Sequence, residues 1–324
     1  MTRCHYHRSL ILALSAVAFT AAWMPSDVRP SPRESSASRH STKWEKKQRW
    51  LEKRDMRAGD SDETSKAPFA TIIGNGRIGS TLAEAGNCIV LGRDDNIDEN
   101  GKGPILIATR NDALDGIIEK CPESRKCDLV FLQNGYLNSY LEQKGLLDNT
   151  QVLLYLSVTA IGAEAVDGVT AYNPEGLTAA TGIHAEAFAR RLSHLGLRCN
   201  VVDAASFKPA MFEKLMWIAV FMLIGAAKRC KSVGQAGSEH SGLVDELINE
   251  LSAAVEKREA IQFPEGTVPR LNAYTDVVSD FPAAVKEFTW RNKYFFDLGD
   301  EEVPIHNTLL RECREGGLLD FSLE

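Results

Sequence analysis

The sequence lacks the features that would mark a disulfide-stabilised or metal-binding protein. Its seven cysteines are an odd number, and none of them forms the CxxC pair typical of zinc and dithiol sites. No His-rich cluster suggests a metal site either. A chain without a disulfide framework is typical of a reducing compartment such as a plastid stroma. The sequence therefore predicts neither a bound metal nor an oxidising environment.

A basic stripe is also missing. The net charge is −7, and it is unevenly distributed: residues 1–66 carry 13 Lys and Arg against 8 Asp and Glu, whereas the remaining residues carry 24 against 36. The body of the chain is therefore acidic, which argues against nucleic acid as its partner.

Long apolar runs are missing too. A membrane-spanning helix needs about 20 apolar residues. The run near the N-terminus, SLILALSAVAFTAAW, has about fifteen, and the run from Leu215 to Ala227 has thirteen. We therefore expect no membrane partner once the N-terminal segment is removed.

Residues 1–66 have the composition of a removable targeting leader. A basic stretch, MTRCHYHR, precedes the short apolar run, which is the layout of a secretory signal. The segment that follows is rich in Ser, Arg and Pro and predicts disorder. Together the two parts resemble the bipartite plastid leader of algae with secondary plastids, with its junction at residues 16–19 (AVAF). The alternatives are a plain secretory signal with a disordered spacer and a different organelle.

Beyond residue 66, strands and helices alternate. FATII, NCIVLG, PILIAT and DLVFLQ are strand-like, and RIGSTLAEAG and NDALDGIIEKC have helical periodicity. This order predicts an α/β fold with a Rossmann-type, doubly wound parallel sheet in residues 67–205. The far edge of that sheet is expected to contain GVTAYN and the helix HAEAFARRLSHLG.

After about residue 206 the strand signals end, which predicts an all-helical C-terminal domain in residues 206–324. Pro209 is expected in the first turn of a long helix. From Leu215 to Ala227 that helix is apolar on all faces, as expected at the centre of a helical domain. Further helices are predicted over LVDELINELSAAVEKREAI and FPAAVKEFTWRNKYFFDLG. Such a domain would contribute to a substrate site and to a homodimer.

A glycine-rich loop stands between the first predicted strand and helix. Gly74, Gly76 and Gly79 match GxGxxG in the strand–turn–helix context that dinucleotide binding requires. The first glycine makes the tight turn, the second lets a diphosphate approach the main chain, and the third lets the helix pack against the strand. The alternative is a purely structural turn. The predicted cofactor loop comprises Gly74, Asn75, Gly76, Arg77, Ile78 and Gly79.

The end of the second predicted strand favours NADPH over NADH. NAD sites usually place an acidic residue there for the ribose hydroxyls. This chain has Gly92 and then Arg93, and a guanidinium pairs bidentately with a 2′-phosphate. If the strand ended two residues later, Asp94 and Asp95 would reverse the preference. Arg110, after the third strand, is expected either to contact cofactor or substrate or to cap a loop.

Several of these segments together resemble the ketopantoate reductase family. They are IIGNGRIGS, LVFLQNG, SVTAIGAEAVDGVTAYNPEG, FKPAMFEKLMW and AVKEFTWRN, and the resemblance extends from residue 68 to the C-terminus. It is strong in the first domain and patchy in the second. The family joins a Rossmann domain to a helical domain related to that of 6-phosphogluconate dehydrogenase, so the resemblance implies NADP-dependent carbonyl reduction.

The resemblance also implies which residues act. Lys214 matches the family's catalytic lysine, Asn134 matches the asparagine of its strand-end NG pair, and Glu287 matches the late glutamate that holds the substrate. Asn272 and Thr275 fall where the family contacts the substrate carboxylate.

Carbonyl reduction suits these residue types. A proton must reach the oxygen as hydride reaches the carbon, and a lysine at the edge of an apolar helix has its pKa lowered by desolvation. An amide past the carboxyl end of a parallel strand can position a carbonyl or a ribose. The alternatives are a snorkelling Lys214, a surface Glu287 and a plain turn at Asn134 and Gly135.

The resemblance fails on one helix face. The family usually has asparagines one and two turns after the catalytic lysine, where this chain has Ile218 and Met222. A polar substrate would leave its hydrogen-bonding groups unpaired there, at ~1–3 kcal/mol each. The sequence therefore predicts a carbonyl substrate that is larger or less polar than ketopantoate.

The sequence thus predicts an NADPH-dependent oxidoreductase that reduces a small, 2-oxo acid-like carbonyl compound, with Lys214 as general acid. The alternative from another class is an inactive NADP-binding protein that serves as a redox sensor or assembly partner. A decarboxylating sugar-phosphate dehydrogenase would fit the predicted fold but would need a basic phosphate pocket, which the helical domain does not show.

Overall fold

The computed structural model describes residues 66–92, 94–319 and 321–323. The predicted leader, apart from Lys66, lies outside the described residues, so its signal and transit segments stay predictions from the sequence. Arg93 also lies outside the described residues. Its contact with a cofactor phosphate likewise stays a prediction.

A mostly parallel sheet forms the first part of the described chain. The strands are β1 (Ala70–Ile73), β2 (Cys88–Leu91), β3 (Ile105–Ile107), β4 (Leu129–Phe131), β5 (Thr150–Leu153), β6 (Leu156–Ser157), β7 (Val166–Asp167), β8 (Ala179–Thr181) and β9 (Asn200–Val201). Seven of them pair in the order β2-β1-β3-β4-β5-β8-β9, and only β5 and β8 are antiparallel. Strands β6 and β7 form a separate antiparallel pair.

Helices connect these strands and then make up the rest of the chain. They are α1 (Arg77–Ala83), α2 (Leu114–Lys120), α3 (Asn138–Gln143), α4 (Ala185–His194), α5 (Ala204–Ala227), α6 (Val233–Glu239), α7 (Ser241–Glu259), α8 (Thr267–Val277), α9 (Asn292–Phe296) and α10 (Pro304–Glu315). The chain leaves β1 for β2 on one side and returns to β3 on the other, so the order of strands reverses between β1 and β3. Open α/β sheets bind ligands beyond the carboxyl ends of the strands at such a point.

The predicted Rossmann-type fold is confirmed. The central strands β1, β3 and β4 are buried along their whole length, as expected for parallel strands that are covered on both faces. The prediction of a strand over GVTAYN, residues 168–173, is wrong. The Thr170 hydroxyl there accepts hydrogen bonds from the main-chain N–H groups of Tyr172 and Asn173, at 3.2 and 2.9 Å. This local turn competes with strand pairing.

Helix α5 begins earlier than the sequence predicts. Asp203 caps it by accepting a hydrogen bond from the Ser206 main-chain N–H at 2.7 Å. Pro209 therefore lies inside the helix rather than in its first turn, and the prediction that Pro209 begins the helix is wrong. Sequence reasoning followed the proline and overlooked the Asp–Ala–Ala–Ser cap, which is an equally ordinary start signal.

Helix α5 is also the core of the helical part. In the described chain it alone has the length and hydropathy to cross a membrane, and 78% of its most apolar window is buried inside the protein. Its residues pack against α6, α7, α8 and α10 in one large apolar cluster. The same cluster includes Leu153, Tyr155 and Ala179 at the edge of the sheet. One continuous core therefore joins the end of the sheet to the helices.

Candidate active site

The glycine loop has the geometry that the sequence predicts. Gly74 follows β1 with φ of +105°, and a Cβ added to it would lie 2.8 Å from the Ala108 carbonyl oxygen. A Cβ on Gly79 would lie 1.8 Å from the Gly74 carbonyl oxygen, because α1 packs so closely on the loop. A Cβ on Gly76 would meet nothing within 4 Å. Two glycines are thus required by the protein's own contacts, whereas Gly76 leaves open space above bare main chain.

The other residues of the loop hold it in place. The Asn75 carbonyl accepts a hydrogen bond from the Ser80 hydroxyl at 3.0 Å. Arg77 donates from Nη1 to the Val158 carbonyl at 2.9 Å, which ties the loop to the segment after β6. Arg77 and Ile78 line the adjacent cleft.

This cleft has a volume of about 370 Å³ and lies beyond the carboxyl ends of the parallel strands. It is lined by Ile107 and residues 108–111 at the end of β3, by residues 132–134 after β4, by Leu154 after β5 and by Leu156 of β6. Glu287 and Arg291 close its other side. The cleft is therefore where a ligand of an open α/β sheet is expected.

Lys214 lies buried behind this cleft. Its side chain is 7% exposed, and Nζ donates to the carbonyl of the cleft residue Leu154 at 2.8 Å. The ammonium group also lies 4.9 Å from the centre of the Tyr155 ring. Burial, and secondarily the charge of Arg291, lowers the pKa of Lys214 to about 7. The predicted desolvated lysine is present, and it is not a snorkelling surface residue.

Glu287 and Arg291 form an ion pair between Glu287 Oε2 and Arg291 Nη2, and the two side chains are 21% and 14% exposed. Glu287 has φ of +51°, in the left-handed region. This conformation ends any regular helix, so the prediction of one helix over FPAAVKEFTWRNKYFFDLG is wrong. That segment contains only a 3₁₀ turn at residues 288–290 and the short α9.

Asn134 and Gly135 hold the two sides of the cleft together. Gly135 has φ of +119°, and a Cβ there would lie 2.3 Å from the Trp290 carbonyl oxygen. That carbonyl accepts a hydrogen bond from the Tyr136 N–H at 2.6 Å. Asn134 lines the cleft, and its carbonyl accepts from the Asn111 side-chain amide at 3.2 Å. The pair is therefore a close contact with the Glu287 segment rather than a plain turn.

The structure does not bring Asn272 and Thr275 into the cleft. The Asn272 amide donates to the Asp245 carboxylate at 3.2 Å. The Thr275 hydroxyl accepts from Trp217 Nε1 at 2.8 Å and donates to the Leu271 carbonyl at 3.1 Å. Both side chains are committed to protein partners, and neither lines the cleft described above.

The loops after β2 and β3 bear on two predicted cofactor contacts. Strand β2 ends at Leu91, so the alternative in which it ended two residues later is wrong. Asp95 instead folds back and accepts a hydrogen bond from the Gly92 N–H at 2.7 Å. Arg110 lines the cleft, is largely exposed and pairs with Asp112 at 3.5 Å. Its main-chain carbonyl also caps a 3₁₀ turn, so cofactor contact and loop capping are both compatible with its position.

Sequence reasoning missed two residues of the site. Arg291 lines the cleft and Tyr155 packs against the lysine, yet neither was among the predicted site residues, although Arg291 lies in the AVKEFTWRN segment. The only local signal for Arg291 was its place four residues after Glu287, which is a favourable ion-pair spacing. Ile218, as predicted from its type, is buried in the apolar cluster at 4% exposure and presents no polar group.

The arrangement of sheet and helices matches solved ketopantoate reductases. A PanE/ApbA family ketopantoate reductase from Ralstonia eutropha JMP134 superposes with a TM-score of 0.57 at 15% identity, over 76% of this chain and 98% of that chain. The 2-dehydropantoate 2-reductase from Methylococcus capsulatus gives 0.56 at 16% identity, over 78% and 98%. This chain has the ketopantoate reductase fold.

A related dehydrogenase shares that fold. D-mandelate dehydrogenase, in a ternary structure with NADH and anilino(oxo)acetate, superposes with a TM-score of 0.51 at 13% identity, over 76% of this chain and 98% of that one. No protein-family model and no curated protein matches the sequence. Because the identities are this low, the superpositions establish only the fold. The activity must be argued from the residues.

Proposed function

We propose that this protein is an NADPH-dependent reductase of a small 2-oxo acid-like carbonyl compound. The observation that supports it most strongly is the buried position of Lys214 behind the cleft. Its ammonium group is buried directly behind the cleft and has a pKa near 7, so it can give up a proton at neutral pH. The solved structures with this fold include reductases and a dehydrogenase that was solved with NADH and an oxo acid, which agrees with this chemistry.

The glycine loop fits a nicotinamide dinucleotide. The open space above Gly76 is where a diphosphate would approach the main chain, and a side chain there would fill it. Arg77 supplies a nearby positive charge. Arg93 is the proposed contact for the 2′-phosphate that distinguishes NADPH, and Arg110 is a further proposed cofactor contact. When bound, the cofactor supplies the hydride.

Lys214 supplies the proton. As the carbonyl carbon of the substrate gains hydride, the carbonyl oxygen takes a proton from the Lys214 ammonium, and a 2-hydroxy acid and a neutral amine result. The amine then regains a proton from solvent. The Leu154 carbonyl holds Nζ at 2.8 Å and so limits the positions that the ammonium can adopt. Such proton transfer typically contributes ~10²–10⁴-fold to the rate.

Asn134 and Glu287 position the substrate in this proposal. Asn134 stands beyond the end of β4, within the cleft, where its amide can donate to the carbonyl oxygen. Glu287 is paired with Arg291 and can also accept a hydrogen bond from a substrate hydroxyl. Because Ile218 and Met222 offer no such partners, we propose a substrate other than ketopantoate.

A panel of 2-oxo acids and other carbonyl compounds, assayed by oxidation of NADPH with the full chain, tests the proposal. We expect Lys214→Ala to lower kcat by ~10²–10⁴-fold on any active substrate. The matched control is Lys208→Ala on the same helix, whose Nζ pairs with Glu259 at 3.0 Å. Normal turnover by the Lys214 variant would refute the mechanism. Fluorescence titration with NADPH and NADH tests the preference for NADPH.

A second candidate is an NADP-binding protein without turnover. Two observations favour it: the apolar Ile218 and Met222 positions, and the Lys214 ammonium that already has a protein partner. This candidate predicts tight NADPH binding with no oxidation of NADPH by any compound in the panel.

Location and assembly are separate proposals. We propose delivery to a plastid, supported by the composition of residues 1–66. A fluorescent protein fused behind these residues should enter the plastid in an alga with secondary plastids, and secretion would contradict this.

A homodimer is also proposed, in line with the dimeric ketopantoate reductase from Staphylococcus aureus. Sedimentation of the full chain measures it.

A further inference from the structure

Arg291 is a charged residue of the cleft that was not among the predicted site residues. Its side chain is mostly buried, and one edge of its guanidinium pairs with Glu287. Its Nε is buried and has no hydrogen-bond partner among the described residues. A buried donor without an acceptor is unfavourable, because the group has lost its water and gained nothing in return. Because Arg291 lines the cleft, a ligand bound there can bring an acceptor to its guanidinium.

The other arginines of the cleft are placed differently. Arg77 is held by the Val158 carbonyl beside the glycine loop. Arg110 is exposed at the rim and pairs with Asp112. Only Arg291 among these three is both buried and close enough to Lys214 for its charge to affect the lysine. It lines the same cleft as Leu154, the residue whose carbonyl holds the Lys214 ammonium.

We propose that Arg291 is the specificity-determining residue of the cleft and binds the carboxylate of a small 2-oxo acid whose carbonyl oxygen faces Lys214. This inference rests on the proposed function and names its substrate class. A guanidinium is planar and binds a carboxylate through two parallel N–H groups, which fixes orientation as well as position. Glu287 holds the guanidinium in place and balances its charge before the substrate arrives.

This assignment explains how the cleft recognises a polar substrate although the face of α5 that follows Lys214 carries no asparagines. The positions one and two turns after Lys214 on α5 are apolar, so α5 offers only the ammonium. Recognition of the acid end then comes from the 288–291 segment, which the Gly135–Trp290 contact fixes against the sheet. The 2-oxo acid would contact Arg291 at its carboxylate and Lys214 at the adjacent carbonyl.

Calorimetric titration of the full chain with oxamate, a non-reducible carboxylate analogue of a 2-oxo acid, and with its neutral counterpart oxamide tests the inference. Each titration is run with and without saturating NADP⁺. We expect wild type to prefer oxamate, and Arg291→Met to weaken oxamate binding by about 10- to 100-fold, as expected for loss of charge-assisted hydrogen bonds. Arg291→Lys keeps the charge without the planar guanidinium, so its affinity for oxamate should lie between those of wild type and Arg291→Met.

Two further variants separate specific from general effects. Arg311→Met removes an arginine that pairs with Asp300 on the surface, outside the cleft, and should leave oxamate binding unchanged. Arg110→Met should weaken oxamate binding less than Arg291→Met does. Binding of oxamate that is equal in wild type and both Arg291 variants would overturn the inference, and so would a wild type that binds no oxamate in either condition.

The same measurements distinguish this inference from the proposed function. If no NADPH is bound or oxidised but oxamate binding depends on Arg291, the carboxylate site stands and the reductase proposal fails. If NADPH reduces neutral carbonyl compounds only, with no effect of Arg291→Met on their KM, the reductase proposal stands and the carboxylate assignment fails.

Discussion

The two walls of the cleft present different kinds of atoms. The wall at β1 begins at the glycine loop, whose main chain is kept bare by Gly76 and shaped by Gly74 and Gly79, and whose Arg77 and Ile78 line the cleft. The wall from the helical part presents ionisable side chains, chiefly Glu287 and Arg291, with Lys214 behind them. The first wall follows from local steric requirements over six residues. The second exists only because segments far apart in the sequence meet in one core. The protonation and pairing of its side chains therefore depend on the residues packed around them.

The largest expected effect separates two glycines of the same loop. Gly79→Ala should destabilise the protein by about 3 kcal/mol, because overpacking on this scale cannot be relieved, and its Cβ would lie 1.8 Å from a main-chain oxygen. Gly76→Ala has room and φ of −71°, so it should unfold as wild type does. It should nevertheless lose affinity for NADPH. Chemical denaturation and NADPH fluorescence measure the two effects. A Gly76→Ala variant with normal affinity would contradict the cofactor loop.

The contact between the two walls can be broken at Gly135. Gly135→Ala should cost about 2–3 kcal/mol, because it combines positive-φ strain with a clash against the Trp290 carbonyl. Gly145→Ala is the matched control, since it also has positive φ but nothing within 4 Å of its Cβ position. It should cost only the backbone term, about 1–2 kcal/mol. Equal unfolding free energies for the two variants would mean that the Trp290 contact is unimportant.

The pH dependence sharpens the contrast, because only the side-chain wall titrates. Lys214 must be protonated to act as an acid, so kcat/KM for reduction should be constant below pH about 7 and fall about tenfold per unit above it. Oxidation of the hydroxy acid should show the opposite dependence. Arg291→Met removes a positive charge that lowers the pKa of Lys214, so the fall in kcat/KM should begin at higher pH. If it begins at the same pH as in wild type, the group that titrates is not Lys214.

The smallest effect concerns stability at the same lysine. The pKa of Lys214 is lowered in the folded state, so between pH 7 and its usual value near 10.5 the unfolded chain binds a proton that the folded chain does not. Stability from this group therefore rises with pH over that window. Lys214→Met removes the titrating group, so its stability relative to wild type should be highest at pH 6–7 and should decrease toward pH 10. Thermal unfolding across pH measures it, and a constant difference would contradict the buried, titrating lysine.

The parts of the site that sequence reasoning found are those with local signals. The strand–GxGxxG–helix pattern correctly located the glycine loop, and the apolar run after Lys214 correctly implied a desolvated lysine. Asn134 was located by its match to the strand-end NG pair of the family that the sequence resembles. In each case the physical cause lies within a few residues of the residue concerned.

The parts that it missed depend on distant contacts. Thr275 was expected at the substrate, but its hydroxyl is occupied by Trp217, 58 positions away in the sequence. The only local signal for Arg291 was its spacing from Glu287, and its burial comes from packing of the 288–291 segment against the sheet. Pro209 misled the prediction of where α5 begins, because a proline can stand inside a helix when a stronger cap precedes it.

The sequence by itself determined the alternation of strands and helices from β1 to β4, the main-chain cradle at Gly74–Gly79 and the apolar character of the helix that contains Lys214. These follow from period, chain sterics and hydrophobic burial, which act over short distances along the chain. Only the tertiary structure decided that Glu287 and Arg291 line one cleft with Lys214 buried behind it, and that Asn272 and Thr275 lie outside it. The reason is that the protonation and pairing of a side chain depend on the solvent, charges and hydrogen-bond partners around it, and folding brings these from distant parts of the chain.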